Sequence, residues 1–126
     1  MHSKSPLMYQ WHDKQYLGAA HGISGILYVL MQADDTSQDM DSLVKPTLEY
    51  LHTLHFPSGN FPSSLGSRGG DMLVHWCHGA PGFLFMFARA YTMLDTSADQ
   101  RQRKLQVIVF DIEGNQNVER IKGSLF

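Results

Sequence analysis

The sequence has a single cysteine, no long hydrophobic run and no excess of charge of either sign, and each shortage closes a class of function. One thiol cannot form an internal disulfide, so Cys77 is expected in a reducing compartment as buried filler, a metal ligand or a nucleophile. No apolar stretch approaches the roughly 20 residues that span a bilayer. The start of the sequence shows no apolar core behind its charge, so no signal peptide is expected there. Ten Lys and Arg stand against 12 Asp and Glu, scattered and netting −2. That balance offers no footprint for nucleic acid or for an anionic membrane surface. The expected location is cytoplasmic, with peripheral association at the plasma membrane left open. Paired carboxylates are missing too: Asp13, Glu49 and Asp71 show no pairing beside any motif, which discounts a glycosidase.

What the sequence does have is a phrase used twice. Ala20-His21-Gly22-Ile23-Ser24-Gly25 and Cys77-His78-Gly79-Ala80-Pro81-Gly82 both contain His-Gly-x-x-Gly, and their histidines are 57 positions apart (21 to 78). Each copy opens an apolar stretch, residues 26–31 and 83–94. Self-similarity at a fixed spacing is the mark of repeated structural units.

Between the repeats the pattern changes. Residues 24–32 and 83–94 are apolar on all sides, as for helices buried all round. Residues 42–55 carry a one-sided stripe of Leu43, Val44, Leu48, Leu51 and Leu54, with Pro46 tolerable only in or near the first turn. Residues 56–71 hold two prolines and four glycines in a long turn-rich loop. The order is buried helix, surface helix, loop, buried helix. It predicts an all-α chain of nested helical hairpins over residues 1–96. Residues 97–126 lose the repeat. Their one β-prone run, 105–112, has no partner strand, so this divergent tail is expected to be disordered.

Glycines around a histidine at a helix start let the backbone approach closely and are expected to leave free N–H groups facing a site. The positive helix end favours an anion there, including the thiolate that binds zinc or attacks as a nucleophile. On residue types alone, Cys77 between Trp76 and His78 is most often a small buried hydrophobe, and His21 a satisfied core histidine. His2, His12, His52 and His55 lack motif context and read as surface groups. Arg89 is the odd charge in an apolar helix and is expected to snorkel outward.

Four runs in order then carry a resemblance. These are residues 6–9, the phrase from Tyr16 to Gly22, Phe56-Pro57-Ser58-Gly59-Asn60-Phe61-Pro62, and the phrase from Leu73 to Gly82 with its Trp76-Cys77-His78-Gly79. Together they resemble the eukaryotic LanC-like proteins, relatives of the bacterial lanthionine cyclases. The resemblance implies an α/α toroid, of which this chain would form part. It implies zinc held by two cysteines and a histidine, with Cys77 matching the first cysteine; the later Cys-His-Gly phrase has no counterpart in this sequence. His21 matches the general acid/base. The implied reaction adds a thiol, glutathione in eukaryotic members, to dehydroamino acids in peptides or proteins, and with one matching ligand it is expected to be impaired here. The competing reading is a non-catalytic fragment that binds glutathione or a partner protein.

Overall fold

A computed structural model describes residues 4–33 and 37–94; the tail expected over 97–126 lies outside the described residues. The described chain is mostly helical and forms no sheet beyond isolated bridges. α1 is Ile23–Leu30, α2 the single turn Ser37–Asp39, α3 Lys45–His52 and α4 Ala80–Leu94, with a π-helical stretch, Met40–Val44, between α2 and α3. The predicted order of helices and loop is present. The described residues do not close into a toroid, so that arrangement remains an expectation.

The π-helical stretch explains a departure from the predicted stripe. A π turn holds more residues than an α turn, so it rotates the residues before it relative to those after it. Val44, Leu48 and Leu51 are buried, but Leu43 on the expected stripe faces solvent. Pro46 is the second residue of α3, which directly follows the π-helical stretch. Thr47, fully buried, donates to Leu43 O at 2.7 Å and accepts from Leu7 N at 3.2 Å, which ties the N-terminal segment to α3.

The core gathers Leu17, Leu27 and Met31 with Leu48, Leu51, Phe61, Phe83 and Met86. Phe61, from the long loop, stacks on Phe83 of α4 with ring centroids 3.8 Å apart and planes 5° from parallel. The loop is therefore anchored rather than loose. The two inner helices are not buried all round, which corrects the sequence reading. Tyr28, Val29 and Leu30 of α1 and Phe85 of α4 are exposed. A helix that is apolar on every side needs neighbours on every side, and the described residues provide them on only some.

Arg89 also departs from expectation. Its Nε and Nη2 donate to Met31 O at 3.2 and 3.1 Å. The guanidinium thus caps the C-terminal carbonyl of α1, where a positive charge is favoured, instead of reaching for solvent.

Candidate functional site

Both His-Gly-x-x-Gly phrases make the same glycine contacts, and the reason is steric. A Cβ at Gly22 would strike the Tyr16 carbonyl, and one at Gly25 the Ala19 carbonyl. In the second copy Gly79 lies against the Leu73 carbonyl and Gly82 against that of Trp76. Each glycine packs on the backbone six residues before it, and every partner is displaced by the same 57 positions. The repeat in sequence is a repeat in structure. Gly79 has a further reason to be glycine, a φ of 123°, which other residues rarely adopt.

The copies also pack on one another. Gly18 leaves room only for the Cys77 carbonyl, and Ala20 N points at the same oxygen at 3.5 Å. A Cβ at Gly82 would come within 2.7 Å of Ala19 Cβ. The His21 and His78 rings have centroids 5.8 Å apart. With Arg89 of α4 reaching the C-terminal end of α1, the two helices run side by side in the same direction and present both motifs at one rim. The structure thus brings together His21, His78 and the loop bearing Cys77.

Helix-start amides were expected to be free for a ligand, and here the structure differs. Ile23 N donates to Tyr16 O at 3.0 Å and Ser24 N to Leu17 O at 3.2 Å. At α4, Ala80 N donates to Asn60 Oδ1 at 2.8 Å, and Pro81 has no N–H. The segment before α1, and a side chain from the loop at α4, have already filled these donors.

Asn60 is the residue that sequence reasoning missed. It is fully buried and makes three bonds from one side chain. Its Oδ1 caps α4, and its Nδ2 donates to Asp71 Oδ1 at 2.7 Å and to Leu73 O at 3.0 Å. Ser58 holds the other Asp71 oxygen. Asp71 is thereby a structural anchor, and the Ser58–Asn60–Asp71 cluster sets where the second motif begins.

The rim is aromatic. Trp11 is carried by a tight turn in which His12 and Asp13 both have positive φ, closed by Trp11 N to Lys14 O at 2.9 Å and Lys14 N to Trp11 O at 3.1 Å. Its ring lies 5.0 Å from that of His21, and Tyr16 lies 5.9 Å from His21 and 6.4 Å from His78. His21 is exposed and reachable; Cys77 and His78 are half-buried. Burial holds His78 below the ordinary histidine range, and the neighbouring His21 and His75 push it further down. Its Nδ1 is buried without a hydrogen-bond partner. His75 is exposed, its N–H bonded to His78 O at 2.9 Å. His12, His52 and His55 are surface residues as expected, and His2 lies outside the described residues.

Among the described residues no group of three His, Cys, Asp or Glu side chains could hold a metal ion. Cys77 with nearby imidazoles is a donor set of the right chemical kind for zinc, but these residues do not make a site unaided. No helix among the described residues is long and apolar enough to cross a membrane.

The profile of the family described as lanthionine synthetase C-like protein matches residues 1–115. The chain is 51% identical over 90 residues to a protein of Danio rerio named glutathione S-transferase LANCL1, covering 70% of this chain and 22% of that one. It is 38% identical over 106 residues to LanC-like protein GCL1 of Arabidopsis thaliana, covering 83% of this chain and 24% of that one. The chain spans under a quarter of the length of the curated relatives it matches.

Proposed function

Because this chain belongs to the lanthionine synthetase C-like family, we propose that it carries part of a site that adds a thiol, glutathione foremost, to dehydroamino acids in peptides or proteins. The observation that carries the reading is the joining of the two motifs at one rim, with the His21 ring 5.8 Å from that of His78, the neighbour of Cys77. The glutathione comes from the name of the Danio rerio relative.

In such an addition the sulfur bonds to the β-carbon of a dehydroalanine or dehydrobutyrine. The C=C electron pair moves toward the α-carbon and its carbonyl, giving an enolate that must be protonated at the α-carbon. His21 is assigned the proton work, base toward the thiol and acid toward the enolate, so that one imidazole closes the proton balance. Its exposure lets substrate reach it, and Trp11 and Tyr16 fix the ring by edge and tilted contacts. Neutral His78 leaves no second positive charge beside it. Cys77 is assigned as one metal ligand. The described residues do not complete a metal site, so no step is derived through a metal, and the chain alone is expected to turn over little.

The test combines the purified chain, zinc, glutathione and a dehydroalanine peptide, with the adduct followed by mass spectrometry. Little adduct above the uncatalysed background is expected. Turnover abolished by both Cys77→Ala and His21→Ala would show the partial site to be sufficient. The second reading, a non-catalytic chain that binds glutathione or a partner protein, is favoured by the exposed apolar faces of α1 and α4. Glutathione binding that survives both substitutions would support it.

A further inference from the structure

A strained turn holds Trp11 beside His21. The two backbone bonds between Trp11 and Lys14 close a two-residue hairpin whose central residues, His12 and Asp13, have φ of 48° and 60°. Glycine and asparagine adopt that conformation most readily, so a His–Asp pair there is a strained choice, and strain of this kind persists where the placing of a neighbouring side chain matters. The segment is also tied down, with Leu17 N donating to Ser63 O at 3.0 Å and Leu65 N to Gln15 O at 2.8 Å. The His12 ring stands edge-on to the indole, centroids 4.3 Å apart. His21 and Tyr16 each neighbour both Trp11 and His78, the residue next to Cys77. Trp11 and His21 also share a shallow cavity of about 580 Å³; apart from His21, its wall holds no ionisable side chain among the described residues. The strained turn, the indole and the histidine all lie within residues 11–21.

We propose that Trp11 is the binding surface for the acceptor, with the dehydroamino residue of a peptide or protein lying flat against the indole beside His21. The proposal rests on the thiol addition proposed above and adds which side of His21 takes which reactant. A dehydroalanine or dehydrobutyrine residue is trigonal at its α- and β-carbons, so its C=C and carbonyl share one conjugated, uncharged plane. Such a plane matches an indole face, and the tetrahedral α-carbon of an ordinary residue does not. Glutathione is the opposite kind of molecule at neutral pH, with two carboxylates and an ammonium. The uncharged wall beside Trp11 offers those groups no partner. The thiol is therefore left to the side of His78 and Cys77, and His21, which neighbours both Trp11 and His78, serves both reactants. Addition makes the α-carbon tetrahedral, so the product loses its fit to the indole and leaves.

The test reads binding by the full chain, because little turnover is expected of it. A capped peptide with a central dehydroalanine, and the same peptide with alanine there, are titrated into isotope-labelled chain and followed by NMR. The chain has two indole N–H signals, from Trp11 and Trp76, told apart with Trp76→Phe. The dehydroalanine peptide should move the Trp11 signal and bind more tightly than the alanine peptide. Trp11→Leu should bind it about tenfold more weakly and lose the preference, whereas Trp11→Phe, which keeps a flat ring, should retain most of both. A preference for dehydroalanine that survives Trp11→Leu at wild-type affinity, or that leaves the wild-type Trp11 signal unmoved, would overturn the proposal and leave the thiol-addition reading standing. Equal binding of the two peptides by the wild type, or none, would overturn both. The indole shift needs no substitution at Trp11, so it decides even where Trp11→Leu loses helical circular dichroism.

Discussion

Replacing Asn60 with alanine should unfold more of this protein than any other single polar substitution in the long loop. The change deletes three hydrogen bonds at a fully buried position. Asp71 keeps Ser58 as a partner, but Leu73 O and Ala80 N lose theirs, and Ala80 N is the first amide of α4. A lost neutral bond costs about 1 kcal/mol, and one to a carboxylate about 2. The sum is about 3–5 kcal/mol, against a total stability of about 5–15 kcal/mol for a typical domain. At roughly 4–8 °C per kcal/mol for a domain of this size, the melting temperature should fall by at least about 10 °C. Urea titration followed by circular dichroism measures the loss. Asn60→Asp is the informative companion. It keeps an oxygen for Ala80 N but places a second carboxylate beside Asp71, so it should also destabilise, and less at acidic pH. A loss below about 1 kcal/mol for Asn60→Ala would refute the view that this side chain ties the loop to α4.

Two further outcomes rest on geometry. Gly25→Ala should cost far more than Gly66→Ala, because a Cβ at Gly25 strikes the Ala19 carbonyl, whereas Gly66 has open space around it and only a φ of 73° to defend; chemical denaturation of the two variants compares them. Neutral His78 contributes stability that is complete above its unfolded value near 6.5 and is lost as pH falls through the lower folded value. With chelator present, wild-type stability should therefore fall more steeply below that pH than that of His78→Gln, and equal slopes would count against the burial argument.

The motif repeat and the helix order were legible because both are written in local spacing. Glycines, a histidine and the apolar run after them recur at one offset, and the folded copies share their glycine contacts. Arg89 was not legible, because its acceptor is a backbone carbonyl 58 residues earlier that leaves no side-chain signal. Asn60 was hidden for a related reason. A lone asparagine among Ser, Gly and Pro reads as a turn residue, and only the folded loop shows that it is buried against α4. The π-helical stretch was invisible to a stripe counted at the α-helical period, and Leu43 was misplaced as a result. The exposed sides of α1 and α4 were misread because all-round apolar composition says that a helix wants neighbours, not how many it has. Within the site, the meeting of His21 with the Cys77 loop was anticipated from the repeat. The filling of the helix-start amides was not, since it depends on chain reversal at residues 16–18 and on a side chain 20 residues upstream.

The six-residue glycine contacts also set what kind of second change could repair a damaged motif. A side chain that collides with another side chain is readily rescued by trimming the neighbour, and compensating pairs of that kind are easily selected. At Gly22, Gly25 and Gly79 the nearest obstacle is the carbonyl of an earlier residue, which every amino acid carries alike. No exchange at Tyr16, Ala19 or Leu73 removes it. Suppressors of alanine at these positions would have to shift main chain, by insertion, deletion or a new glycine nearby. Gly82 is a mixed case, with a carbonyl on one side and the Ala19 methyl on the other, so even Ala19→Gly relieves only half of its crowding. A selection for revertants should accordingly return true reversions at the motif glycines and scattered side-chain suppressors almost everywhere else.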